Sequence, residues 1–160
     1  MGRVVTETEL VDAVAADRAA GRKVAFANGC FDLLHVGHVR YLWGASAEAD
    51  RLIVAVNDDG SARRLKGPGR PIIPVDERAE IVAALEAVDY VVTFADDTVE
   101  RLLLRIQPDV HCKGTDYTVD TVPERAVVQA YGGRTAIVGD QKAHASRDLA
   151  KQIRQPAAGD

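Results

Sequence analysis

Two kinds of segment alternate along the chain. Short apolar runs rich in β-branched residues occupy 23–28, 51–57, 90–94, 110–113 and 134–138, each bounded by Gly, Asn or Asp; this is the pattern of buried strands. Between them, apolar residues recur at helical spacing over about 37–49, 76–87, 98–107, 123–131 and 146–155. Strand following helix in this order predicts an α/β fold, a single doubly wound domain built on a mostly parallel five-stranded sheet. One helix precedes the sheet. Thr6 and Glu9 stand in capping-box spacing ahead of Leu10, Val11, Val14 and Ala15, and Gly21 stops the run, so 1–21 reads as an N-terminal helical extension. Pro68, Gly69, Pro71 and Pro74 forbid regular structure over 67–74 and predict a long surface loop, a kind of segment that often carries function. Gly132 and Gly133 read as a helix stop, and 156–160 as a frayed tail.

Composition narrows the classes. A chain of 160 residues, 47% of them hydrophobic, suits one domain over 1–160. A formal net charge of -4 argues against a general nucleic-acid binder, whose affinity comes from clustered Lys and Arg. The longest apolar stretches are too short for a bilayer span and the N-terminus lacks a basic-then-apolar leader pattern, so a cytoplasmic protein with no membrane partner is expected. Cys30 and Cys112 have no metal-ligand spacing and read as buried thiols; no protein metal site is expected.

The chemistry concentrates where the first strand of the sheet runs out. Asn28-Gly29-Cys30-Phe31-Asp32-Leu33-Leu34-His35-Val36-Gly37-His38 leads into a helix, and in a doubly wound sheet that is where helix N-termini offer N–H groups to phosphate. His35 and His38 share a helix face, and Gly37 between them offers no side chain, so a phosphate could approach the backbone while both imidazoles donate to it. Helix-capping histidines without a ligand are the competing reading. Asp32 suits an N-cap equally well. Lys66, with Arg63, Arg64 and Arg70, puts positive charge in or beside the proline loop of an acidic protein and reads either as a mobile phosphate clamp or as a solvated turn. Glu77 and Arg78 open a helix whose Ile81, Val82 and Leu85 are expected to face the core; the Glu suits the helix dipole and the Arg opposes it. Lys113-Gly114-Thr115-Asp116-Tyr117 follows the fourth strand and should reach the same sheet edge as His35. Trp43 reads as packing rather than as a base-stacking platform.

Gly29-Cys30-Phe31-Asp32-x-x-His35-x-Gly37-His38 resembles the signature of the cytidylyltransferase-like nucleotidyltransferases. The likeness extends through 50–59, Arg64-Leu65-Lys66-Gly67, Arg70-Pro71-Ile72, Glu77-Arg78, 85–89 and 113–117. These segments resemble one subfamily, the D-glycero-β-D-manno-heptose 1-phosphate adenylyltransferases, in a free-standing form. The resemblance implies transfer of AMP from ATP to the heptose 1-phosphate, with pyrophosphate released, as a step towards lipopolysaccharide. It implies His35, His38, Lys66 and Arg78 as catalytic groups on the phosphates, and Gly29, Cys30, Phe31, Asp32, Gly37 and Ser146 as nucleotide-binding. Lys113, Gly114 and Asp116 would meet the sugar phosphate, and Mg²⁺ would accompany ATP; a homodimer is compatible with it. At the last helix the chain departs from the family run of Ser and Thr: Ala145-Ser146-Arg147 stands there, preceded by His144. Ser146 reads as a phosphate ligand or as a helix cap. A transferase for another phosphate acceptor and a nucleotide-binding module without turnover remain the alternatives.

Overall fold

The computed structural model describes residues 1–140 together with Ala150, Lys151 and Ile153. Among the described residues six strands lie in one sheet: β1 (Arg3–Val4), β2 (Val24–Gly29), β3 (Arg51–Asn57), β4 (Tyr90–Phe94), β5 (Val110–Gly114) and β6 (Arg134–Val138). Their spatial order is β1-β4-β3-β2-β5-β6, and every pairing is parallel. Five of these are the expected strands. The sixth, β1, joins the edge by pairing Arg3 with Tyr90 and Val4 with Val91. Its two exposed residues are too few to carry a periodic signal.

Over residues 1–140 the helices are α1 (Glu7–Ala19), α2 (Val36–Ser46), α3 (Asp59–Lys66), α4 (Val75–Ala83), α5 (Glu100–Ile106) and α6 (Arg125–Ala130), with a 3-10 turn at Val119–Thr121; Ala150, Lys151 and Ile153 are also helical. The capping box of α1 forms as its spacing predicts: Glu9 N–H donates to Thr6 Oγ1 at 3.3 Å and Thr6 N–H to Glu9 Oε2 at 2.7 Å. Helix α3 was not expected. It buries only Ser61 and Ala62, an apolar stripe too thin to register, and it is started by Asp58, whose carboxylate accepts the Ser61 N–H at 2.7 Å. The proline loop therefore begins at Gly67 (φ +91°), and Lys66 sits in the last turn of a helix rather than in the loop.

Strand β3 shows how the two layers form. Leu52, Val54 and Val56 point to one face, with Leu42 and Ala45 of α2 and Ala79, Val82 and Ala83 of α4. Ile53 and Ala55 point to the other, with Leu10 and Val14 of α1, Leu102, Leu103 and Ile106 of α5 and Val128 of α6. Both faces are covered, so the strand is a continuous apolar run, and each large side chain so buried contributes about 1.5–3 kcal/mol. Two expectations on packing are corrected. Ile81 is exposed while Val82 takes the core position, and Trp43 is 60% exposed on the outer side of α2 instead of packing inward.

The chain leaves β2 for β3 on one side of the sheet, and later crosses from β4 to β5 on the other side of β2. The switch point therefore lies between the carboxyl ends of β2 and β5, where α/β sheets open a crevice for ligands.

Candidate active site

A cavity of about 540 Å³ opens at that switch point. The end of β2 and its turn line it through Asn28, Gly29, Cys30, Phe31 and Asp32, and α2 contributes His38 and Tyr41. Lys66 and Arg70 stand on one side; Lys113, Gly114, Asp116, Tyr117 and Glu124 stand on the other.

The β2–α2 turn is held in an unusual backbone. Phe31 (φ +49°) and Leu33 (φ +53°) are both left-handed without being glycine, a conformation that persists where surrounding contacts over-determine it. The Phe31 ring supplies such contacts: it stacks on Tyr41 at 6.5 Å between centroids and meets the His38 ring at 5.4 Å. A Cβ on Gly29 would stand 3.2 Å from the Phe31 ring, so the sequence Gly-x-Phe is a packing requirement of the turn.

His35 caps α2. Its Nδ1 accepts the Gly37 N–H at 3.2 Å, and the His38 Nδ1 accepts the His35 N–H at 3.3 Å, with the two rings 4.0 Å apart. An imidazole whose Nδ1 accepts carries its proton on Nε2 when neutral. Burial pushes the His38 pKa down to about 4, with the charges of His35 and Lys66 adding to it, so at neutral pH His38 is an uncharged Nε2–H donor on the cavity wall. His35 does not line the cavity. The expected capping and ligand-facing roles are thus divided between the two rings, and the Gly37 N–H expected to meet phosphate is already engaged by His35.

Asp32 is not the cap of α2. Its buried carboxylate accepts N–H groups from Ile72 (3.0 Å) and Ile73 (3.1 Å) and the Arg70 Nε at 2.5 Å, which ties the proline loop to the β2 turn. Burial opposes its ionisation, but these donors outweigh burial and hold the carboxyl below its ordinary pKa. Cys30 donates to Asn57 Oδ1 at 3.8 Å, and burial pushes its thiol pKa up; it is a wall, not a nucleophile.

Arg78 is the clearest correction. Its guanidinium is wholly buried and donates from Nε to Ile73 O (2.8 Å), from Nη1 to Cys30 O (2.5 Å) and Asn57 O (2.8 Å), and from Nη2 to Asp59 (2.8 Å). It is absent from the cavity lining. The fork that was expected to reach phosphate instead fastens β2, β3, α3 and the proline loop together.

Lys113 and Asp116 lie at the end of β5 as expected, with Gly114 open on the cavity side. Sequence reasoning missed three of their neighbours. Asn28 Oδ1 meets His111 Nε2 at 3.1 Å and Lys113 Nζ at 3.4 Å, and Lys113 Nζ also lies 3.5 Å from Glu124. The available signal was the pair of polar residues at alternate positions of the apolar run Val110-His111-Cys112-Lys113. Ser146, His144 and Arg147 lie outside the described residues.

Burial drives His111 down to about pKa 3, helped by the Lys113 charge. With His38 near 4, the folded chain binds fewer protons than the unfolded chain, whose histidines titrate near 6.5. Stability therefore rises with pH across this window and is lost as pH falls from about 6.5 towards 4. Urea titrations at pH 7.5 and 4.5 should show a lower midpoint at 4.5, with a smaller difference in His111→Gln; equal midpoints in the wild type would contradict the assignment.

Comparison with known proteins adds the lineage. The family described as cytidylyltransferase-like matches residues 26–156. The chain belongs to this family. Among its relatives, the bifunctional protein HldE of Ectopseudomonas mendocina is 52% identical over 151 residues, 94% of this chain and 32% of the relative. The same protein of Azotobacter vinelandii is 50% identical over 147 residues, 92% of this chain and 31% of the relative. The chain thus spans about a third of the length of the curated relatives it matches. The crystal structure of the lipopolysaccharide core biosynthesis protein from Thermoplasma volcanium superposes with a TM-score of 0.67 at 24% identity, covering 76% of this chain and all of that one; it shares the fold. Among the described residues no helix is long and apolar enough to cross a membrane.

Proposed function

We propose that this cytidylyltransferase-like chain transfers the adenylyl group of ATP to D-glycero-β-D-manno-heptose 1-phosphate. The observation that carries the reading is His38: a neutral Nε2–H donor on the wall of a cavity at the sheet's switch point, with Lys66 on the same cavity. A phosphate oxygen of the sugar attacks the α-phosphorus of ATP, the bond to the β-phosphate oxygen breaks, and pyrophosphate leaves with that electron pair, giving ADP-heptose. The attacking phosphate is already anionic, so the protein has little need of a general base; positioning and stabilisation of developing charge remain. His38 donates to the oxygen that gains charge at the α-phosphate, and Lys66 attends the departing phosphates. Mg²⁺ belongs to this reading as the counter-ion that would arrive with the nucleotide and would offset charge on the departing pyrophosphate; no group of three metal-ligating side chains converges among the described residues. The likeness of segments 50–59, 64–67, 70–72 and 113–117 to the heptose 1-phosphate adenylyltransferases supports heptose as the acceptor, and a cytoplasmic setting and a product that feeds lipopolysaccharide belong to the same reading.

Pyrophosphate release from ATP, CTP, GTP and UTP, each against heptose 1-phosphate, glycerol 3-phosphate and pantetheine phosphate, tests the reading. ATP with heptose 1-phosphate should be the fastest pair. A faster reaction of CTP with glycerol 3-phosphate would overturn it.

A further inference from the structure

On the Lys66 side, the cavity wall carries an ion pair that the transfer chemistry leaves unused, Arg70 with Asp32. The two partners are unequally engaged. The Asp32 side chain is 1% exposed and already accepts N–H groups from Ile72 and Ile73 as well as from Arg70. The Arg70 side chain is 11% exposed and meets Asp32 through Nε alone, although a guanidinium has five N–H donors. The four on Nη1 and Nη2 meet no acceptor among the described residues, and neither nitrogen is sealed from solvent. The pair thus covers its anion and offers its cation. Nearby arginines differ: Arg64 donates to Asp97 and the Ala95 carbonyl, and Arg78 to three carbonyls and Asp59. A buried ion pair is weak evidence for stability in itself. A guanidinium fixed through Nε, however, leaves its Nη1–Nη2 edge as a planar fork that matches two oxygens of one phosphate.

We propose that Arg70 binds one phosphate group of a substrate through both Nη nitrogens, with Asp32 as the positioning residue that holds the fork. This deepens the proposed function and rests on it for the substrates concerned: the phosphate belongs either to the acceptor or to ATP. The clamp that the sequence suggests as mobile is preset at Arg70, tied to the β2 turn by the same carboxylate that accepts the Ile72 and Ile73 N–H groups. A side chain ordered before the ligand arrives loses little rotamer freedom on binding.

Calorimetry on the full chain, with Mg²⁺, tests this without turnover, one arm using ATP and the other heptose 1-phosphate. Arg70→Lys keeps the charge, but one nitrogen cannot bond Asp32 and two phosphate oxygens together. In this variant Kd should rise about tenfold or more for one ligand and stay within about twofold for the other, and the arm affected identifies the phosphate. Arg70→Ala should weaken the same ligand at least as far; Asp32 keeps its Ile72 and Ile73 donors in both variants, so the loop stays anchored. Asp32→Asn should weaken that ligand too, and its loss should not add to that of Arg70→Lys in the double variant, because both changes act on one fork. Wild-type affinity for both ligands in folded Arg70→Lys and Arg70→Ala would overturn the proposal. Equal losses in both arms, the mark of a cavity that has merely lost its shape, would overturn it as well. Additive losses in the double variant would overturn the positioning role of Asp32. ATP binding that depends on Arg70, without any transfer to heptose 1-phosphate, would remove the proposed function while leaving this inference in place.

Discussion

Replacing His38 with alanine should lower kcat by at least ~10²-fold, the loss that follows removal of one donor aimed at developing transition-state charge. The folded protein should survive the change, because the ring is linked to the backbone by one long bond, from the His35 N–H at 3.3 Å, of the order of 1 kcal/mol. The paired histidine behaves differently. His35→Ala removes the cap that accepts the Gly37 N–H and should cost about 0.5–2 kcal/mol of stability, whereas His35→Asn restores a capping side chain. Turnover and melting temperature measured together separate the roles: a folded His38→Ala with near-normal turnover would remove the donor assignment.

Arg78→Ala should be the most destabilising substitution in the chain. It strands the buried carbonyl oxygens of Cys30 and Asn57 and the part-buried one of Ile73 at once, while the partly exposed Asp59 can turn to water; each buried acceptor left unpaired costs about 1–3 kcal/mol, together a large part of the ~5–15 kcal/mol that holds a domain together. Arg78→Lys should rescue little, since one ammonium cannot reproduce a planar fork that serves four acceptors. Chemical denaturation gives the answer directly. A variant with wild-type stability and weakened ATP binding would return Arg78 to the phosphates.

The contrast between these residues shows what the chain makes legible on its own. The alternation of apolar runs identified β2 to β6, because a strand covered on both faces is apolar throughout. Helix and strand periods bring Gly29, His35 and His38 to the turn after β2, and of these Gly29 and His38 line the cavity. Periodicity did not reveal α3, whose buried side is just Ser61 and Ala62, so the setting of Lys66 was misjudged. Nor does a residue's type disclose whether its polar atoms are engaged. Arg78 and Lys113 are both basic and lie near the same cavity, but one is fastened to carbonyl groups from three segments and the other faces a half-satisfied carboxylate. Only the positions of distant partners, Asn57 for Arg78 and Glu124 for Lys113, distinguish a fastener from a ligand-facing group.

The central claim is that the phosphate of heptose 1-phosphate attacks the α-phosphorus of ATP in this cavity, and isotope placement tests it most directly. Heptose 1-phosphate carrying ¹⁸O in its non-bridging phosphate oxygens would be incubated with ATP, Mg²⁺ and the wild-type chain, and the products weighed by mass spectrometry. The account predicts ADP-heptose that retains every ¹⁸O atom and pyrophosphate that contains none. Label in the pyrophosphate, or ATP consumed with no ADP-heptose formed, would contradict it.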